Sequence, residues 1–478
     1  MTAHFSSQVL FEPISGQKTF GPDLPDYDAL TDCIRCGRCL PVCPTYQETA
    51  LETQSPRGRL NLLRAVEDGK IALDHARVEE HLYHCLDCRA CNMVCPAGIP
   101  IGELIVQGRA AVEHAHRRNW LIRFALNIVL TSPRRAEVLT APLRLIQKLK
   151  LDQLGVVLFG WLPKIGPALR DLVHMAPAIS RPIRPELARR PSSKGPDHPT
   201  TGLLDYSTTR PPDYSTTRPP GHSANRRVGF FLGCVMNVAF ADASRASVAL
   251  MQRFGCEVVT PADQACCGAP HDDQGMKNRA RAFTRRNIEA FERLGDLAAI
   301  VADCAACSGF LKEYAHALGD DPEWAERAER FSSKVRDITE WLDEIIPDDR
   351  SAGFSLPVGT PHRVVTYHEP CHLAHMQGVR RQPRALLARA ENLDVRELPD
   401  ATRCCGSAGI YNLTHPAMSK ALLGRKMADV ASTGAGVVVS ANPGCLIQLE
   451  WGRRWHKLPV AVKHITEVIL ESLVTREA

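Results

Sequence analysis

The chain has 478 residues, 44% hydrophobic and 23% charged, and its 58 Lys and Arg against 53 Asp and Glu leave a net charge of +5. These proportions exclude global disorder and collagen-like repeats, and the length suits several domains rather than a small disulfide-stapled scaffold. Residues 1–20 lack the apolar core of a secretory signal, so the 18 cysteines are expected to hold metal or do redox work in a reducing, cytoplasmic compartment.

In chain order, the first eight cysteines form two copies of one pattern. Cys33, Cys36, Cys39 and Cys43, followed by Pro44, read C-x2-C-x2-C-x3-C-P, and Cys85, Cys88, Cys91 and Cys95 with Pro96 repeat it. Three thiolates two residues apart on a tight loop can converge on one cubane. The fourth, past a turn, reaches the other cluster when two such motifs face each other. This assigns Cys33, Cys36, Cys39 and Cys95 to one [4Fe–4S] cluster, and Cys85, Cys88, Cys91 and Cys43 to a second. Structural zinc, the competing reading, has no use for a third evenly spaced cysteine and a following proline.

Between the motifs, Ser55 and Pro56 predict the cap and first residue of a helix, with Leu60, Leu63 and Val66 on one face and Gly69 as its stop. A second helix is expected over Asp74 to Tyr83. Arg57 and Arg59 read as solvated arginines at a helix start, with stabilisation of cluster charge as the alternative. The region 22–116 resembles the α-helical ferredoxins of respiratory dehydrogenase iron–sulfur subunits.

The next stretch, 117–226, reads as a basic, partly helical connector. From Arg109 to Arg227 there are 20 Lys and Arg against 8 Asp and Glu, so this segment carries +12 and the remainder −7. Its amphipathic stretches start at Trp120 and Leu151, and its longest apolar run, Leu154 to Pro163, is far short of the roughly 20 residues that span a bilayer. The tandem DYSTTRPP repeats, Asp205 to Pro212 and Asp213 to Pro220, predict an extended spacer. The apolar stripes are expected to pack on the rest of the protein. The competing role is docking on an acidic partner or the anionic cytoplasmic face of the inner membrane. No recognition motif accompanies the basic residues, so nucleic acid is not an expected partner.

The remaining cysteines become ordered once their offsets are taken. Cys234 to Cys371 is 137 residues; Cys266 to Cys404, Cys267 to Cys405 and Cys307 to Cys445 are each 138. A fixed offset of this kind marks an internal duplication. Cys304 stands in the first copy where Asn442 stands in the second, and Cys256 falls outside the pattern as a core residue. Strands are predicted at 227–232, 257–260, 298–302, 363–367, 394–398 and 436–440, alternating with helices, which predicts parallel α/β sheets. Ligands in such sheets gather at strand C-termini, where these cysteines lie, and this suits one cluster in each copy. The copies are placed at 227–318 and 362–474, joined by a helical connector at 319–361. His368, His372 and His375 crowd Cys371 and are expected to tune a metal rather than bind it.

The fold expected is therefore multidomain: an N-terminal α-helical ferredoxin domain with two [4Fe–4S] clusters, then a duplicated α/β cysteine-rich region. On PTYQ (Pro44 to Gln47), SPRGRLNLL (Ser55 to Leu63), CCGSAGIYNLTHP (Cys404 to Pro416) and SANPGC (Ser440 to Cys445), the chain resembles the glycolate oxidase iron–sulfur subunits. The resemblance implies electron transfer from FAD-containing partner subunits that oxidise glycolate to glyoxylate, towards a quinone or other membrane acceptor. Substrate chemistry would lie on the partners, with no catalytic residue, flavin or nucleotide site on this chain, which has no Gly-rich nucleotide fingerprint after a strand. Similar architectures occur in iron–sulfur subunits of lactate and anaerobic glycerol-3-phosphate dehydrogenases. They also occur in heterodisulfide reductases, where five cysteines of this pattern hold a noncubane cluster. Cys234, Cys266, Cys267, Cys304 and Cys307 meet that pattern; Cys371, Cys404, Cys405 and Cys445 fall one ligand short.

Overall fold

The computed structural model describes residues 25, 27–115, 120–129, 131–153, 173, 175–188, 226–346 and 362–472. The DYSTTRPP repeats, the Leu154 to Pro163 run and most of the amphipathic stretch from Leu151 lie outside them.

The N-terminal region is helical. Ser55 Oγ accepts from Gly58 N at 3.0 Å and Pro56 opens helix Pro56–Glu67, which buries Leu60, Leu63 and Val66 as expected. The second helix begins at Ala76 rather than Asp74, because the His75 ring accepts from Arg77 N at 3.2 Å and caps it there. Helix Ile101–Ala115 packs on both, so Leu104, Ile105 and Val112 join Leu60, Leu63, Val78 and Leu82 in one core.

Helix Pro133–Lys148 packs its Pro133 and Ala136 side on helix Cys234–Ala239. Asn237 Nδ2 donates to Glu137 Oε1 at 2.8 Å, and Arg184 pairs with the same carboxylate at 2.6 Å. The expected packing of the apolar stripes holds only in part. One side of this helix is occupied by that contact, and Val138, Leu145 and Leu149 remain exposed, as do Trp120 and Phe124 of helix Trp120–Val129.

The duplicated region holds strands β1 (Arg226–Phe231), β2 (Cys256–Val259), β3 (Ala299–Ala302), β4 (Val335–Asp337), β5 (Arg363–Tyr367), β6 (Leu393–Arg396), β7 (Val437–Ser440) and β8 (Ala461–His464). They form two parallel sheets in the same order, β2-β1-β3-β4 and β6-β5-β7-β8. Six strands match the expected ones to within two residues. The other two, β4 and β8, are short edge strands with polar members, whose state is decided by the neighbouring strand rather than by local pattern. Each runs into a capped helix: Asp337 accepts from Thr339 N at 2.9 Å, and His464 Nδ1 from Thr466 N at 3.3 Å. The stretch 319–361, read as a helical connector, thus contributes a strand to the first sheet.

The two copies share one core. Phe230, Val301 and Trp341 of the first lie in the same apolar cluster as Tyr367, Val439 and Ile465 of the second. Helix Ala241–Arg253 packs on helix Ile465–Glu471, and helix Ile338–Ile345 on helix Arg381–Ala388, so each copy covers part of the other. Ala305 N donates to Ala441 O at 3.1 Å, which brings the C-terminal ends of β3 and β7 together.

The ferredoxin region docks where those strand ends meet. The buried Arg109 guanidinium donates to Leu82 O at 3.1 Å, Cys85 O at 2.5 Å, and Asp273 at 2.8 Å (carbonyl) and 2.5 Å (carboxylate). On the second copy, Tyr411 OH donates to His84 O at 3.2 Å and Arg425 pairs with Glu48 at 2.6 Å.

Candidate iron–sulfur and metal centres

The two ferredoxin loops have the same backbone. Left-handed residues fall at Arg35 (φ 56°) and Gly37 (φ 81°) in the first and at the matching Asp87 (φ 45°) and Arg89 (φ 60°) in the second. Alternating right- and left-handed residues turn successive N–H groups into one concavity, a cradle for an anion such as a thiolate-ligated cluster. Left-handed backbone is unfavourable for non-glycine residues and persists where its surroundings fix it. Here Arg89 Nε donates to Asp87 at 2.6 Å, and Arg57 donates to Arg35 O at 3.0 Å.

One cavity is lined by Cys85, Cys88 and Cys91 of the second motif together with Cys43 of the first. That is the crossed set expected from the spacing, and a thiol-lined hollow fits a cluster. Cys33, Cys39 and Cys95 gather at the same core, while Cys36 is exposed. Burial pushes the Cys88 and Cys91 thiols well up, so a bound cation is what would hold them as thiolates at neutral pH.

Arg59 corrects an expectation. It is 1% exposed rather than solvated, and donates to His81 O at 2.7 Å, Gln54 Oε1 at 2.8 Å and Thr45 Oγ1 at 3.1 Å. Its guanidinium lines the cavity with Cys43 and Cys85. Burial pushes the Cys85 thiol up, and Arg59 and Arg109 oppose that shift. Arg57 stays at the surface and pairs with Glu52 at 2.6 Å.

In the first copy all five cysteines converge. Cys234 contacts Cys266, Cys266 contacts Cys267, Cys267 contacts Cys307, and Cys307 N donates to Cys304 Sγ at 3.4 Å. All five are buried. The glycine after the cysteine pair has a backbone reason: Gly268 has φ +104°, and a Cβ there would lie 2.8 Å from Phe310. Gly406 repeats this with φ +87° and a Cβ 2.8 Å from Ser419 O. Asn287 donates to Cys266 O at 2.9 Å and Tyr314 to Cys267 O at 2.6 Å, fixing the pair from behind. Gly268→Ala is therefore expected to lose roughly 1–3 kcal/mol in urea unfolding and to empty the first copy of metal. Unchanged stability and iron content would contradict this account of the loop.

Sequence reasoning passed over His271. Its ring is fully buried against Cys266, and that thiol, which it helps to hold in the charged form, is its one polar partner among the described residues. A histidine four residues beyond a cysteine pair was the available signal.

In the second copy Cys371 contacts Cys404, Cys404 contacts Cys405, and Cys405 contacts Cys445. The Cys371 thiolate raises the proton affinity of Cys88, and the two share one apolar cluster, so this copy adjoins the crossed ferredoxin site. Asn442 stands between the copies, its Oδ1 3.7 Å from Cys304 Sγ and its Nδ2 3.5 Å from Cys445 Sγ. The three histidines separate. His372 Nδ1 lies 3.4 Å from Cys371 Sγ and His375 Nδ1 lies 3.0 Å from Cys88 O, both in a tuning position. His368 is buried with only the Ala401 carbonyl near its ring as a polar partner, in poor hydrogen-bond geometry, and one ligand atom of each of His368, Cys405 and Cys445 lies within 4.8 Å of the others.

Two thiol-rich loops on a helical frame, joined to paired α/β sheets with cysteines at the strand ends, define an iron–sulfur electron-transfer protein. A 4Fe-4S dicluster domain model matches residues 29–99, and a cysteine-rich (CCG) domain model matches 228–312 and 365–450. The chain is 36% identical over 454 residues to the "Probable glycolate oxidase iron-sulfur subunit" of Bacillus subtilis, covering 94% of this chain and 95% of that one. It is 28% identical over 450 residues to the glycolate oxidase iron-sulfur subunit of Escherichia coli, covering 93% and 94%. Lactate utilization protein A of Bacillus cereus is 32% identical over 245 residues, 98% of that protein but 51% of this chain. The chain belongs to the family of glycolate oxidase iron–sulfur subunits. Among the described residues no helix is long and apolar enough to cross a membrane.

Proposed function

We propose that this chain is the electron-transfer subunit of a complex that oxidises glycolate to glyoxylate. An FAD-containing partner subunit supplies the electrons, and they leave towards a quinone or other membrane acceptor. Cys33, Cys36, Cys39 and Cys95 hold one [4Fe–4S] cluster; Cys85, Cys88, Cys91 and Cys43 hold the other. Cys234, Cys266, Cys267, Cys304 and Cys307 hold a further cluster. Bound clusters supply one-electron redox chemistry. The chain's own residues keep the thiols in place, exclude water, and set Arg59 and Arg109 beside them.

The observation that carries this reading is the docking of the crossed site onto the repeat. Arg109 ties Cys85 O to Asp273 in the loop that follows the first cysteine pair, which seats the crossed site against the five-cysteine copy. A relay needs its centres adjoining in this way. Burial of all five first-copy cysteines favours relay over direct attack on an external disulfide. Glycolate is favoured over lactate because the glycolate-named relatives match nearly the whole chain, and the lactate-named ones about half. The exposed apolar residues of helices Trp120–Val129 and Pro133–Lys148, within the +12 segment, suit peripheral contact with an anionic membrane face.

The test is anaerobic reconstitution. The isolated chain is expected not to oxidise glycolate, whereas glycolate with the flavoprotein partner added bleaches the visible absorbance of its clusters. Cys267→Ser is expected to keep that bleaching and lose at least tenfold in transfer to a quinone analogue. Bleaching by lactate or glycerol 3-phosphate but not by glycolate would overturn the substrate. Turnover of a disulfide by the chain alone would overturn the relay.

A further inference from the structure

We propose that the second copy of the repeat is a mononuclear metal centre of zinc type, with His368, Cys405 and Cys445 as ligands. The ligand atoms of these three residues lie within 4.8 Å of one another. Around a tetrahedral zinc, a sulfur at about 2.3 Å and a nitrogen at about 2.0–2.1 Å stand about 3.6 Å apart. The triad therefore needs to close by little more than an ångström to hold one ion.

The histidine also compensates for the lost cysteine. At the 137-residue offset of Cys371, the residue matching His368 in the first copy is Phe231. The copy with five cysteines thus has a phenylalanine there, and the copy whose fifth position is Asn442 has a histidine. Its place is rigid: His368 follows β5, its N–H donates to Val439 O at 2.9 Å, and its carbonyl accepts from Ser440 Oγ at 3.2 Å. The Ala401 carbonyl is the one backbone partner near the buried ring and lies short of good hydrogen-bond geometry, so a ring nitrogen is left for an ion, which removes part of the cost of burying it.

Charge agrees with this assignment. Two thiolates neutralise a dication in a buried site. Cys404, in contact with Cys405, can add a third thiolate, whose charge the buried Lys426 ammonium near both would offset. Asn442 Nδ2 donates to Cys445 Sγ, the kind of outer hydrogen bond that orients a metal-bound thiolate. Zinc carries no electrons, so this copy fixes the face on which Cys88 and Cys371 meet, and the five-cysteine copy remains the redox centre of the repeat. The inference does not depend on which substrate the complex oxidises.

The experiment is metal analysis of the full chain prepared anaerobically, with Zn2+ and Co2+ as probes. Wild type is expected to hold about one zinc per chain besides its iron. His368→Ala is expected to lose at least tenfold in zinc with iron content and cluster absorbance unchanged, and His372→Ala to lose none. His368→Cys is expected to keep the ion, with the absorbance of the Co2+-loaded protein moving towards an all-sulfur tetrahedral spectrum; this variant carries the test if the alanine variant does not fold. Zinc unaffected by His368→Ala, a Co2+ spectrum unchanged by His368→Cys, or a wild type with iron in place of zinc would each overturn the proposal.

Discussion

Replacing Arg59 by methionine is expected to lower the reduction potential of the cluster proposed at Cys43, Cys85, Cys88 and Cys91 by roughly 100 mV. A unit charge about 7 Å from the cluster, at an effective dielectric constant of about 20, contributes about 2.4 kcal/mol to the uptake of one electron. At 59 mV for each tenfold change in a one-electron equilibrium, that is about 100 mV. The buried guanidinium lines the cavity of these four cysteines and favours the charged form of Cys85, so its field acts on whatever negative charge the site holds. Arg59→Met also leaves His81 O, Gln54 Oε1 and Thr45 Oγ1 without their donor, a loss of a few kcal/mol in thermal unfolding. Arg59→Lys separates the two effects, since it keeps the charge and loses the fork of donors. An EPR-monitored redox titration in which the methionine and lysine variants share the wild-type potential would show that Arg59 acts only on packing.

Arg59 also marks the limit of reading this chain in one dimension. Cysteine spacing is a local property: three thiolates two residues apart can meet only on a tight loop, and the crossed set of Cys43 with Cys85, Cys88 and Cys91 follows from it. The 137- and 138-residue offsets likewise announce two equivalent sheets, because a duplicated fold repeats its strand ends together with its cysteines. Burial of a charged side chain is not local. Arg57 and Arg59 sit two residues apart on one helix start, and helical phase puts Arg59 on the Leu63 and Val66 face, but phase alone does not say that a charged side chain there is buried rather than bent out to solvent.

The same reason hides the contacts between copies. Asn442 reads as an absent ligand until β3 and β7 are placed end to end and its amide is seen between Cys304 and Cys445. His368, His372 and His375 read as one cluster. Their roles divide only because β5 ends in the core while the next turn faces the ferredoxin region. Strands β4 and β8 escape for a related cause: Arg336 and Asp337 in one and Lys463 and His464 in the other leave no apolar run to read, and pairing with β3 and β7 creates the strand.

Removing the Arg109 guanidinium is expected to uncouple the ferredoxin region from the repeat without emptying either. Arg109 is 2% exposed and joins Leu82 O and Cys85 O on one side to the carbonyl and carboxylate of Asp273 on the other. Breaking a buried pair by deleting one partner typically costs about 3–5 kcal/mol, because the remaining groups stay desolvated and unpaired. Such a loss shifts the balance of docked over undocked forms by a factor of roughly 10² to 4 × 10³. Arg109→Met should then split one thermal transition into two and slow electron transfer from the ferredoxin clusters to the first copy, with iron content unchanged. Asp273→Asn should do less, since Arg109 keeps the Asp273 carbonyl at 2.8 Å together with Leu82 O and Cys85 O. Tyr411, in the same small cavity as Arg109 and Asp273, and Arg425 tie the second copy, so whatever docking is left after the change runs through His84 O and Glu48. Equal transfer rates in wild type and Arg109→Met, measured by stopped-flow bleaching, would mean that the contact through Tyr411, Arg425 and Cys88 is sufficient.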